Sequence, residues 1–303
     1  MIHRWLGLVV VIGCWLVSTA PLRGDDGDEH LRLVCSTTQI ADFARQVVGD
    51  DWQVDCVLAP GQDPHLYRTT PGDVRLVEKA DLCLANGWHL EGGDWMQKLA
   101  ADNAKPLVIC ADGVKPLMLA EADVEVQDPH AWFTPLNARV YVMNILRGVT
   151  SIDPSREATY RARTELYLRQ LQVLHAWIKK QVSTIPVRQR ILVTSHDAFG
   201  YFCNEYGFTG AAPAGWSTGE EVGGGITPAR RQATIDSIRN FGVRSIFVET
   251  SVNKKLIREI ANEAGVSVGG ELYSDSMGKA GSAGETYIGM MRENVLSIVQ
   301  GLK

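Results

Sequence analysis

Asp153-Pro154-Ser155-Arg156-Glu157-Ala158-Thr159-Tyr160 opens a stretch that meets no further proline until Pro186. Asp153 is suited to cap a helix and Pro154 to occupy its first position, where the missing N–H costs nothing. Tyr167, Leu171, Leu174 and Ile178 follow on one stripe, so the spacing predicts a helix running to about Val182. Roughly 29 residues at ~1.5 Å each give about 43 Å, enough to cross a small lobe. A helix of that length in mid-chain is a stiff spacer that permits tilts rather than wide swings.

The segments on either side of it repeat one pattern. On the N-terminal side, Leu31–Cys35, Val54–Leu58, Ala80–Ala85 and Leu107–Cys110 read as buried strands, with helix-like Ile40–Val48 and Asp73–Lys79 between them. On the C-terminal side, Arg190–Thr194, Ser245–Val248 and Val266–Gly269 read as strands. Asp197–Tyr206, Pro228–Phe241, Lys254–Ala264 and Thr286–Leu302 read as helices. Such alternation implies parallel sheets covered on both faces. The expected fold is α/β, with two parallel-sheet lobes, residues 25–152 and 186–303, joined by one long rigid helix within 153–185.

A chain of 303 residues is comfortable for two domains. Hydrophobic content of 45% and charged content of 21% exclude disorder, collagen and coiled coil. A net charge of −5 without a basic block is wrong for nucleic acid phosphates, so no nucleic acid partner is expected.

The one long apolar run is at the start. Met1-Ile2-His3-Arg4 is basic, Trp5–Val17 carries no charge, Ser18-Thr19-Ala20 is small, and Asp25–Glu29 is acidic. That order is a secretory signal peptide, residues 1–24, cut near Gly24 because Pro21 makes cleavage after Ala20 poor. Val11-Ile12-Gly13-Cys14 also resembles a bacterial lipobox, in which Cys14 would carry lipid. Trp15-Leu16-Val17 would then leave an apolar mature N-terminus, so release into the periplasm is expected over an anchor at Cys14. The other cysteines, Cys35, Cys56, Cys83, Cys110 and Cys203, form no C-x-x-C pair, and the first four sit in strand-like runs as small core residues.

Three of the seven histidines share a setting. His65 stands in Pro60-Gly61-Gln62-Asp63-Pro64-His65 after a strand, before a helix capped by Thr70 and Asp73. His130 stands in Asp128-Pro129-His130-Ala131-Trp132, ahead of helical Asn137–Arg147. His196 stands in Thr194-Ser195-His196-Asp197, where a strand gives way to a helix. In open α/β sheets, ligands bind beyond the carboxyl ends of strands. In each Asp-Pro-His, proline fixes its own φ and extends the preceding Asp, so the imidazole leaves a stiff turn. Asp63 and Asp128 are candidates to orient the ring nitrogens. His89 follows a strand as a weaker candidate, whereas His30 and His175 read as surface or boundary residues. Three neutral imidazoles suit Zn²⁺, Mn²⁺, Fe²⁺ or Cu²⁺, and a carboxylate usually completes such a shell. Glu249 and Asp275 both follow strands, and spacing does not choose between them.

With Phe247-Val248-Glu249-Thr250-Ser251, Leu272-Tyr273-Ser274-Asp275-Ser276 and Thr286-Tyr287 added to these motifs, in this order, the chain resembles the TroA-like, cluster A-I solute receptors of bacterial metal ABC transporters. The resemblance runs from Val34 to Leu302. It implies two α/β lobes bridged by a long helix, with the ion in the interlobe cleft held by His65, His130, His196 and Asp275. Glu249 would then be structural or would support a ligand. Zinc-dedicated relatives often carry a His-rich loop where Lys115–Gln127 has no histidine, and manganese-dedicated ones often place Glu where His196 stands. The bound ion is accordingly Zn²⁺ or Mn²⁺, as transported cargo and not as a catalytic cofactor. The Gly-rich Gly215–Gly225 is looser than the family pattern and lacks the Lys-Ser/Thr of a phosphate loop.

The function implied is high-affinity extracytoplasmic capture of the ion by a monomer. Delivery goes to a membrane permease driven by a cytoplasmic ATPase, with no enzymatic step. Because the ligands must be deprotonated, affinity is expected to fall as pH drops through the histidine range near ~6.5. The alternatives are a secreted zinc hydrolase, with Glu249 or Asp197 as base, and a lipidated surface adhesion protein.

Overall fold

A computed structural model describes residues 30–121, 124–212, 227–251 and 254–303. The signal segment, Cys14 and the Gly-rich Gly215–Gly225 lie outside the described residues.

The first sheet is parallel, in the order β2 (Trp52–Cys56), β1 (Leu31–Cys35), β3 (Leu82–Ala85), β4 (Leu107–Ile109). The inner strand β3 is apolar on both faces because both are covered, whereas the edge strand β2 carries Gln53 and Asp55. Leu33 and Cys35 of β1 and Leu82 and Leu84 of β3 face the main core. The alternate residues Val34, Cys83 and Ala85 face a second cluster. That second cluster is closed by α2 (Pro71–Glu78) and α3 (Trp95–Asp102), through Val77, Trp95, Met96 and Leu99. On the main-core side lie α1 (Thr38–Val48) and α4 (Pro135–Ile152). Asp73 closes α2 as expected, accepting the Thr70 N–H at 2.6 Å.

The long helix is α5 (Glu157–Val182), 26 residues. Its buried stripe contains Tyr167, Leu171, Leu174 and Ile178, together with Tyr160, Thr164 and Val182. Its start differs from expectation, since Pro154–Arg156 forms a 3-10 turn first. The Asp153 carboxylate is engaged by the Ser155 and Tyr160 hydroxyls, so it does not cap the backbone amides. The helix packs on α1 and α4 from one half and on α9 (Tyr287–Leu302) from the other.

The second half holds two parallel pairs, β7 (Ile191–Val193) with β8 (Thr209–Ala211), and β9 (Ser245–Glu249) with β10 (Ser267–Leu272). Val193, Ile246 and Val248 pack with α7 (Pro228–Phe241) and α8 (Lys254–Ala264). Phe247 and Leu272 face the main core with Met291, Val295 and Ile298 of α9. The short α6 (Gly200–Tyr206) starts three residues later than expected. Helix α3 was not anticipated from the sequence, and neither were two β features. One is β8, and the other is the antiparallel hairpin β5 (Met118–Glu121) with β6 (Val124–Gln127), which occupies the histidine-free stretch. Leu31–Lys303 packs as one compact unit. Among the described residues, no helix is long and apolar enough to cross a membrane. The cysteines Cys35, Cys56, Cys83, Cys110 and Cys203 are free thiols, and all but Cys56 are fully buried.

Candidate metal centre

Each Asp-Pro-His folds into the same small turn. The Asp63 carboxylate accepts the His65 N–H at 2.8 Å, and the Asp128 carboxylate accepts the His130 N–H at 3.0 Å. An aspartate bonding its own chain two residues on is a stiff, locally encoded device. Only Asp128 also reaches the ring, 2.8 Å from His130 Nδ1. His196 is carried past the end of β7, and Glu249 at the end of β9 braces it there. Glu249 Oε1 accepts the His196 N–H and the Ser195 hydroxyl, both at 3.0 Å, and Oε2 lies 2.6 Å from His196 Nδ1. With a carboxylate at Nδ1 of His130 and of His196, Nε2 of those two rings is turned toward the centre.

Asp275 lies three residues beyond β10, on a segment gripped by the first half. Gln39 donates to the Ser274 carbonyl at 2.9 Å, and the Gly61 N–H donates to the Ser276 hydroxyl at 2.6 Å. The Met277 N–H donates to Thr38 Oγ1 at 2.9 Å. Sequence reasoning missed this bracket, because hydrogen bonds between residues so far apart along the chain leave no local signature.

Four side chains thus converge. One ligand atom from each of His65, His130, His196 and Asp275 lies within 4.8 Å of all the others. The His65 and His130 Nε2 atoms are 3.3 Å apart. Asp275 Oδ1 is 3.4 Å from His130 Nε2 and 4.0 Å from His65 Nε2, while Oδ2 is 3.2 Å from His196 Nε2. The two Nε2 atoms are within hydrogen-bond geometry of each other, whereas the Asp275 oxygens approach the rings without lining up on them. Both Asp275 oxygens and both His196 ring nitrogens are buried with no aligned hydrogen-bond partner. His196 Nδ1 faces Glu249, but His196 Nε2 and the Asp275 oxygens face the centre. Buried polar atoms are otherwise nearly always bonded, so this group is suited to a shared cation. His65 is the most exposed member, with 20% of its side chain accessible against 4%, 7% and 0% for His130, His196 and Asp275. Solvent reaches the centre on the His65 side.

The charges are polarised. Burial pushes His65 down to about 4, against the pull of Asp275, so its imidazole is neutral. Burial also works against a charge on His130, but Asp128 and Asp275 outweigh it and lift the ring to about 9. His196 is raised likewise by Glu249 and Asp275 against its own burial. Asp275 is held well below the usual carboxylate range, as His196 and His130 overcome its desolvation. Asp63 is pushed up to about 6 by burial and then by Asp275.

The other candidates fall away from the cluster. His89 is exposed and paired with Asp94 at 3.2 Å. His175 Nδ1 lies 3.1 Å from the Tyr206 hydroxyl on the side of α5. Of the two candidate acids, Asp275 joins the ligand atoms and Glu249 stands behind His196; Asp197, the alternative hydrolase base, is not among the converging groups.

Residues 33–301 match the family model described as zinc-uptake complex component A, periplasmic (ZnuA). The manganese-binding lipoprotein MntA of Halalkalibacterium halodurans is 35% identical, over 97% of this chain and 95% of its own. The iron-binding protein YfeA of Yersinia pestis is 32% identical, over 94% of this chain and 92% of its own. Among solved structures, the periplasmic zinc-binding protein TroA from Treponema pallidum superposes with a TM-score of 0.82 at 31% identity, covering 90% of this chain and 99% of that one. MntA is a lipoprotein by name, so the expectation of release in place of a Cys14 anchor draws no support from it.

Proposed function

Because this chain belongs to the family of periplasmic zinc-uptake component A proteins, we propose that it captures a divalent transition-metal ion outside the cytoplasm and delivers it to the permease of an ABC transporter. The observation that carries this reading is the meeting of three imidazoles and one carboxylate at a buried point, with polar atoms that nothing in the protein satisfies. His65, His130, His196 and Asp275 hold the ion. Asp128 and Glu249 keep two of the rings aimed at it, as carboxylates behind metal-bound histidines commonly do. The ion is gripped between lobe 25–152 and lobe 186–303. Residues 153–185 limit their relative motion to small tilts.

Nitrogen-rich donors with one carboxylate suit Zn²⁺ and also accept Mn²⁺. Asp275 turns both oxygens toward imidazole nitrogens, which lets it supply one oxygen to a tetrahedral ion or two to a larger one. A catalytic zinc site keeps three protein ligands and an open position for water. Four converging ligands favour carriage over hydrolysis. Release to the permease then requires the lobes to be drawn apart, which exposes the ion on the His65 side.

Titration of metal-stripped protein with Zn²⁺ and Mn²⁺ in competition, followed by elemental analysis, is expected to give one ion per chain. The variants His65→Ala and His130→Ala are expected to bind far more weakly while keeping their helical content. Isotherms unchanged in both would remove the site. The mass of the mature N-terminus separates a lipidated Cys14 from a chain cut near Gly24.

A further inference from the structure

His65 differs from the other two histidines in what holds it. Carboxylates of Asp128 and Glu249 stand at the Nδ1 atoms of His130 and His196, whereas Asp63 bonds the main-chain N–H of His65. His65 also sits in the irregular segment between β2 and α2, and it is the most accessible of the four. A ligand on such a segment would lose conformational freedom each time it captured an ion.

The connection between β3 and α3 takes up that role. The Pro64 carbonyl accepts two hydrogen bonds from it, from the Gly92 N–H at 3.2 Å and from the Trp95 indole N–H at 3.0 Å. Trp95 is itself buried. The next carbonyl, that of His65, passes so close to Gly92 that a Cβ built there would stand 1.8 Å from its oxygen. The oxygen is backbone and a Cβ is fixed by its own main chain, so no rotamer change relieves the clash. The corner does not drift, because the buried Glu91 carboxylate accepts the amides of Asn86 and Gly87 at 2.7 and 3.1 Å, tying it to the end of β3.

Resting on the reading of His65 as an ion ligand, we propose that Gly92 and Trp95 are its positioning residues. They clamp the Pro64–His65 main chain so that the imidazole is aimed at the centre before an ion arrives. Trp95 supplies a donor that holds the carbonyl. Gly92 supplies a second donor and the space without which the loop would be pushed outward.

The test is a double-mutant cycle on the metal-stripped chain, titrated with Zn²⁺. Trp95→Phe, which deletes the indole donor, is expected to weaken binding about tenfold or more, in the range for groups that orient metal ligands. Gly92→Ala is expected to weaken it further. Combined with His65→Ala, neither change should lower affinity beyond His65→Ala alone, because the clamp would have nothing left to aim. A merely structural role would instead make the losses additive. Wild-type affinity in Trp95→Phe, or additive losses with His65→Ala, would overturn the proposal. If Gly92→Ala does not fold, Trp95→Phe still decides. Wild-type affinity in His65→Ala would sink the ligand reading itself, a different failure from an ineffective clamp.

Discussion

Glu249 holds His196 at two points, accepting its main-chain N–H at 3.0 Å through one oxygen and facing its Nδ1 at 2.6 Å through the other. The ring is thereby fixed in both rotation and tautomer, with Nε2 left for the opposite side, where Asp275 waits at 3.2 Å. Glu249→Gln keeps the shape and removes the charge. We expect Zn²⁺ affinity to fall about 10- to 100-fold, as for other carboxylates behind metal-bound histidines. Calorimetric titration of the metal-stripped variant measures it, and an unchanged affinity would show that the contact does not orient the ring.

The pH response follows from the neighbours of His130. With its pKa lifted to about 9, His130 is protonated at neutral pH in the ion-free protein, as is His196, whereas His65, at about 4, is neutral. An incoming ion must displace about two protons. Affinity should therefore climb steeply from pH 6 to about 9, a window higher than the ~6.5 expected for unperturbed histidines. Titration in buffers of differing ionisation enthalpy counts the protons released. Release of none at pH 7 would contradict the assignment.

The same shift has the opposite sign for stability without the ion. A histidine whose pKa is raised on folding stabilises the protein below its unfolded value near ~6.5, and that contribution is lost as pH rises through its folded value. For His130 the folded value is about 9. The gain in melting temperature on adding Zn²⁺ should therefore widen between about pH 6.5 and about pH 9, since the ion-free baseline loses the His130 contribution while affinity rises. Paired thermal melts across that range check it.

Asp275→Asn removes the one anion shared by His130 and His196. We expect a loss of affinity beyond about a hundredfold, larger than for an orienting carboxylate. The His130 pKa should also fall in the ion-free variant, which ring-proton NMR titration reads directly. Retention of both properties would place the anion of the site elsewhere.

Tyr287 joins the halves near the centre. Its N–H donates to the Asp42 carboxylate at 3.0 Å, and its hydroxyl donates to the Trp132 carbonyl at 2.6 Å, two residues from His130. Tyr287→Phe leaves that carbonyl without this donor in a fully buried place and should cost about 1–3 kcal/mol. Denaturant midpoints at constant slope measure it. A stability equal to that of the parent would mean that water replaces the bond.

Much of this molecule is written locally. The α5 stripe from Tyr160 to Val182 has helical period, and strand β3 is apolar at every position because both of its faces are covered. The twin Asp-Pro-His turns depend on residues two apart, so they too were legible, as were three of the four converging groups. The β5–β6 hairpin was not legible, because Met118–Glu121 and Val124–Gln127 are short and mix acids with apolar residues. Strand β8 escaped notice because Thr209-Gly210-Ala211 has no apolar alternation. At the start of α5, Pro154–Arg156 forms a 3-10 turn while the Ser155 and Tyr160 hydroxyls bond Asp153, an arrangement that residue type alone does not reveal.

By itself the amino-acid order determined which elements form and which side chains leave stiff turns at strand ends, since hydrophobic period and turn chemistry act over a few residues. It left Glu249 and Asp275 as equals. Only the tertiary structure separated them. Glu249 ends its strand behind His196, while Asp275, three residues past the neighbouring strand, is carried to the front of the ring by hydrogen bonds with Thr38, Gln39 and Gly61. Which acid joins the three imidazoles is thus set by packing between distant segments, and no local pattern encodes that.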